Sequence, residues 1–126
     1  MAKIEVSDGE IVDKLTILQI KMENIQDPKK IKNIEAEYLY LLPVVEQEIG
    51  ILKTSQLYIR LLETNRKLWR IEDDIRDKEK ERQFDSEFVE LARLVYITND
   101  ERAKIKKEIN LQQGSRFIEE KSYQEY

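Results

Sequence analysis

The chain contains no cysteine and no histidine. The first absence excludes disulfides, a thiol nucleophile, iron–sulfur clusters and thiolate zinc sites. The second removes the commonest general base near neutral pH and the commonest transition-metal ligand, and with them Ser-His-Asp catalysis. Three glycines and two prolines in 126 residues are too little punctuation for a sandwich or barrel of short strands. No apolar run approaches the ~20 residues needed to cross a bilayer, and Met1-Ala-Lys-Ile-Glu-Val6 has no apolar signal core. A soluble, cytoplasmic protein with no membrane partner is the expectation.

Charge is plentiful but balanced. The chain carries 22 Lys and Arg against 26 Asp and Glu, a formal net charge of −4. Mild acidity disfavours non-specific nucleic-acid or anionic-membrane binding, which needs a basic face. Carboxylate-bound Mg²⁺ or Mn²⁺ stays open as chemistry, but no cofactor or metal site is expected. Leu, Ile, Val and Phe make up 38 of the residues, too many for a disordered chain. The length suits one domain, 1–126.

The apolar spacing reads as four helices. Ile4 and Val6 form an extended lead-in or a short strand. Ser7-Asp8-Gly9-Glu10 fits a capping box that opens helix one, about 8–25. Ile11, Leu15, Leu18, Met22 and Ile25 form a heptad-like stripe that Val12, Ile17 and Ile20 widen. A helix apolar over so much of its girth belongs at the centre of the fold. Asp27-Pro28 opens helix two, 28–53, with Asp as N-cap and Pro at the first helical position. Pro43 removes a ladder bond inside it and predicts a kink or break. Helix three spans 56–82 on Leu57, Leu61, Leu68, Ile71 and Ile75. Asp85 caps helix four, 86–113, with Phe84 placed to staple onto Val89 and Gly114 at its C-terminal end. The short link makes helices three and four a long antiparallel hairpin. The fold is thus all-α, a four-helix arrangement of two helical hairpins, with an irregular tail at 114–126. Slender hairpins complete their cores by association, so a homodimer is expected.

Functional clues lie where polar residues interrupt the apolar pattern. Thr98 and Arg102 fall in the core register of helix four, with Asn99, Lys106 and Asn110 on the adjoining flank. Asn65, Trp69, Glu72 and Arg76 line one face of helix three at spacings of 4, 3 and 4. Asp13, Lys14 and Lys21 sit on helix one, which should be largely buried. Buried charges must be paired. Three readings fit. In one, Asp13 or Glu72 satisfies Arg102, Arg76 or Lys14 in a structural ion-pair network. In the second, a polar cleft among helices one, three and four holds an anionic small molecule through Arg76, Arg102, Lys106 and Lys14. In the third, the cluster is a subunit interface, where Arg, Tyr and Trp are favoured. Trp69, the sole tryptophan, is a core or interface anchor or a stacking platform. Tyr38, Tyr40 and Tyr58 read as packing residues.

Other constellations say less. Glu87 with Glu90, and Asp74 with Asp77, have the i, i+3 spacing by which all-helical nucleotide pyrophosphatases hold Mg²⁺. The first pair also complements a helix N-terminus, and the second belongs to a solvated charge run. Lys29, Lys30 and Lys32 form a solvated basic face. There is no glycine-rich phosphate loop.

Several blocks resemble a family of small uncharacterised bacterial and phage proteins, a domain of unknown function. Gly9-Glu10-Ile11-Val12-Asp13-Lys14-Leu15-Thr16-Ile17-Leu18-Gln19-Ile20-Lys21 looks like its opening signature. Leu68-Trp69-Arg70-Ile71-Glu72-Asp73 with Arg76 resembles its second block. Phe88 to Tyr96, Asn99-Asp100 and Arg102 to Lys106 resemble its third, and Glu119 to Tyr123 its close. The resemblance implies that Asp13, Lys14, Lys21, Trp69, Glu72, Arg76, Asn99, Asp100, Arg102 and Lys106 form a set, and it implies no particular activity.

The reading that follows is a small non-catalytic helical interaction or accessory protein, with a protein partner or an anionic ligand in an inter-helix cleft. One rival is a metal-independent enzyme of the all-helical chorismate-mutase type. There Arg76, Arg102 and Lys14 would hold carboxylates and Glu72 would contact a hydroxyl or ether oxygen. The other rival is a Mg²⁺-dependent hydrolase of nucleotides.

Overall fold

The computed structural model describes residues 1–115, 117–122 and 125–126. Four α-helices follow one another: α1 (Asp8–Asn24), α2 (Pro28–Pro43), α3 (Gln56–Lys80) and α4 (Ser86–Gln113), with a π-helical turn at Val44–Ile49. No strand forms among the described residues, so the lead-in at Ile4 and Val6 is extended chain.

α1 is the central element, as its broad apolar girth requires. Val12 and Leu15 are wholly inaccessible and Ile20 nearly so. It packs on α2 to one side and on α3 and α4 to the other, while α2 does not reach the long hairpin except weakly. α3 and α4 run antiparallel. Arg60 meets Glu108 at the base, and Lys78 meets Glu87 at the tip. Leu61, Leu62, Ile105 and Ile109 carry the hairpin's share of the core. Tyr58, fully buried, donates its hydroxyl to Gln19 at 2.6 Å, and burial raises its pKa.

Helix ends follow their residues in most places. Asp27 accepts from the Lys29 amide, with Pro28 in the first turn. Ser55 accepts from the Tyr58 amide and Asp85 from the Phe88 amide. Gly114 closes α4 in the left-handed conformation.

Two expectations are corrected. Helix two does not run to residue 53. At Pro43, where the sequence predicts a kink or break, the α-ladder ends and the chain widens into a π-turn in which Gly50 N–H reaches Val45 C=O. Pro43 has no N–H to give the α-pattern, and Gly50, at φ +84°, stops the turn short of residue 53. The capping box at Ser7 does not form: its side chain makes no cap bond, and Glu10 is drawn to Lys106 instead. Phe84 meets Phe88 edge-on, with ring centroids 5.2 Å apart.

Candidate functional site

The first turn of α1 is capped from a distant part of the chain. Gly9 N–H donates to Asn110 Oδ1 at 2.7 Å, and Asp8 N–H to Ser115 Oγ at 3.1 Å. Helix-start amides need acceptors, and here the end of α4 supplies them. The approach is so close that a Cβ on Gly9 would lie 2.5 Å from the Lys106 carbonyl oxygen. The glycine in the first turn of a helix was the sequence signal for this approach. Ser115 gave none.

One turn further along, Asp13 is buried. Arg102 clasps it with both arms of its guanidinium, Nε to Oδ1 at 2.9 Å and Nη2 to Oδ2 at 2.6 Å. Asn65 donates to the same Oδ1 at 2.9 Å and to Thr16 Oγ1 at 2.8 Å. Thr16 in turn donates to the Asp13 carbonyl. Arg102 also touches Asn99. Its pKa is raised, chiefly by the hydrogen bond to Asp13, against the opposing effect of burial. A forked, charge-assisted pair closed on itself in this way is the first of the three sequence readings.

The other named residues divide. Lys106, with a side chain only 9 % exposed, binds Glu10 at 2.5 Å and Glu119 at 3.0 Å. Burial lowers its pKa, but the bonds to Glu10 and then Glu119 outweigh that and leave it raised. Asp100 accepts from the Tyr126 hydroxyl at 2.6 Å. Lys14 lies outside the cluster. It is 59 % exposed and faces Glu37 of α2, because its position on α1 points to the helix across from α3 and α4. The expected meeting of Lys14 with Glu72 and Arg102 is not found. Lys21 has no side-chain partner among the described residues. Near Asp74, Asp77 and Glu87 sits Lys78, whose ammonium binds Asp85 at 2.9 Å and Glu87 at 2.7 Å. No group of three candidate metal-ligating side chains occurs among the described residues.

Beside the Asp13–Arg102 clasp a cleft of about 350 Å³ opens between α1 and the hairpin. Ile17, Ile20, Leu68 and Trp69 give it apolar walls; Asn65, Glu72, Asp73, Arg76 and Arg102 line the rest. Glu72 and Arg76 face one another at 3.6 Å along α3. The structure thus brings Asn65, Trp69, Glu72, Arg76 and Arg102 to one place. The sequence reading missed that the Ile17 and Ile20 side of α1 forms part of its wall.

The chain belongs to DUF6165, a family of unknown function. The family model matches residues 2–126. No curated protein and no solved structure matches the chain. The family's span therefore includes the tail, which returns along α4 through Glu119 on Lys106, Glu120 on Lys107 at 3.1 Å, and Tyr126 on Asp100. The Tyr126 ring also packs edge-on against Tyr96. Residues 116, 123 and 124 of the tail lie outside the described residues, so the Tyr123 part of the closing motif is not placed. A second hollow, about 500 Å³, lies between this returning tail and α4, with Lys104, Lys106 and Lys107 interleaved with Glu119 and Glu120.

No helix among the described residues is long and apolar enough to cross a membrane.

Proposed function

We propose that this protein is a non-catalytic helical interaction module, and that the cleft beside Trp69 receives an aromatic or apolar side chain from a partner. The carrying observation is that the cations nominated for an anionic ligand already have carboxylate partners. Arg102 is neutralised by Asp13, Lys106 by Glu10 and Glu119, Arg76 faces Glu72, and Lys14 faces Glu37. Asp73 at the rim adds a further negative charge. What the cleft offers is an indole, two isoleucines and a leucine, with a satisfied polar wall that fixes its shape. Its volume of about 350 Å³ sits at the small end of ligand pockets and is ample for one aromatic side chain. Trp and Arg together are the residue types that dominate binding hot spots. The dimer expected from the sequence belongs to the same proposal.

The test is the emission of Trp69, the sole tryptophan, during titration with N-acetyl-phenylalaninamide and, separately, with inorganic phosphate, succinate and a nucleoside diphosphate with Mg²⁺. The reading expects the aromatic amide to shift the emission and raise the melting temperature, and the anions to do neither. A response to the anions with none to the amide overturns it in favour of a ligand-binding or catalytic site. Bound ligand at 100 times its dissociation constant raises stability by about 2.7 kcal/mol.

A further inference from the structure

The last buried residue of α3 is Ile71, and the first of α4 is Thr98. Between them the hairpin runs on as an arm of residues 72–97 in which no side chain is buried. The arm extends roughly 14–18 Å past the body at 1.5 Å per residue. It is not short of apolar residues: Ile75, Phe88, Leu91, Leu94 and Val95 are half-covered, and at the tip Phe84 is 57 % exposed. Two helices alone cannot enclose a core, because each needs its apolar side covered by a further layer. Lower down, α1 supplies that layer. Along the arm no helix does among the described residues, as α1 ends at Asn24 near the Trp69 level, and the tail reaches only the arm's lower end, through Tyr126 on Tyr96.

We infer that a second copy of this chain covers the arm, in an antiparallel two-fold pairing that seats Phe84 of each copy in the Trp69 cleft of the other. This rests on the cleft reading above and names its occupant. Charge fixes the choice of occupant and direction. The tip of the arm, residues 77–90, carries six acidic and three basic side chains, a net −3. The turns at the Trp69 level, residues 66–71 and 98–103, carry four basic and two acidic, a net +2. Antiparallel overlap sets each acidic tip beside its partner's basic base, whereas a parallel pairing would stack like on like. The lengths agree. Trp69 lies eleven residues, about 16 Å of helix, before the end of α3, so arms overlapped along their full length bring tip and cleft level. A two-fold contact of this kind is self-complementary and closes, since each copy gives one ring and takes one. The partner's arm would continue the layer that α1 begins.

Sedimentation equilibrium of the full chain between 1 and 100 µM tests this. The expected result is a dimer that Phe84→Asp weakens at least about a hundredfold, with far-ultraviolet dichroism unchanged because Phe84 is exposed. Leu39→Asp, on an equally exposed apolar residue of α2 (65 % accessible), should leave the dimer intact. One-chain mass throughout the range overturns the pairing, as does a dimer that survives Phe84→Asp or that Leu39→Asp abolishes. The aromatic-amide titration, run on the Phe84→Asp chain whose cleft no partner ring fills, separates the two claims. A monomer whose Trp69 answers the amide loses only the self-pairing, and a monomer that does not answer loses both.

Discussion

Gly9 and Asn110 join the two ends of the fold: the first turn of α1 donates to a side chain of the last turns of α4, 2.7 Å away and 101 residues on in sequence. The contact leaves no room for a Cβ, with the Lys106 carbonyl oxygen 2.5 Å from where one would stand. Backbone cannot yield as the end of a long side chain can. Gly9→Ala should therefore destabilise by about 2–3 kcal/mol, as steric insertion into a packed site does. Asn110→Ala, which leaves the Gly9 amide without its acceptor, should cost about 1–2 kcal/mol. Urea unfolding measures both. A Gly9→Ala protein as stable as the parent would mean that the helices are not held this close.

Asp13 and Arg102 should behave as one unit. Arg102→Met strands a buried carboxylate, and Asp13→Asn leaves the guanidinium facing an amide; the first should cost about 3–5 kcal/mol. The double variant should recover a large part of the loss, giving a coupling above about 1 kcal/mol in a double-mutant cycle. Additive effects would show instead that Arg102 stands free for a ligand, as the anion-cleft reading requires.

Thr98 Oγ1 is buried without a hydrogen-bond partner among the described residues. Valine keeps the β-branched shape and removes the orphan hydroxyl. Thr98→Val should stabilise by about 1 kcal/mol, read as a higher urea midpoint with unchanged slope. A loss of stability would place an unseen acceptor, or an ordered water, at that hydroxyl.

The tail's hold on α4 should fade in acid. The hydrogen bond from Lys106 draws the Glu119 carboxyl below its ordinary range, and burial opposes this only partly. The contact thus stabilises the fold above the ordinary carboxylate range and loses that contribution as pH falls through the depressed value. Glu119→Gln should cost about 1 kcal/mol or less at pH 7, since the carboxylate is 42 % exposed and solvent screens it. The gap between variant and parent should close below about pH 4. Melting temperatures across pH 3–7 check this. A gap that persists into acid would mean that Glu119 acts by packing.

The sequence made the helices legible because each carried its own markers. Asp27-Pro28, Asp85 and Gly114 mark ends through local chemistry, and α1 announces its central place by being apolar almost all round. The partners of the polar residues were legible only in part. Asp13, Asn65 and Arg102 stood out as interruptions of an apolar pattern, and three turns of helix geometry limit whom each could reach. Lys14 interrupts the same pattern but leans toward α2, a distinction set by how the two hairpins dock and not by its own neighbours. Glu10 illustrates the competition directly. Its spacing from Ser7 fits a capping box, yet the buried Lys106 ammonium on α4 offers a stronger contact. Ser115 and Glu119 could not be assigned at all, since a returning tail has no period to read.

The measurement closest to the central claim is the emission of Trp69 as the chain is diluted from 100 to 0.1 µM. A shielded indole should turn red-shifted on dilution as the partner's ring leaves the cleft, and Phe84→Asp should show the red-shifted spectrum at every concentration. A spectrum that ignores both dilution and the substitution would contradict the account, because Trp69 would then have no side chain docked against it to lose.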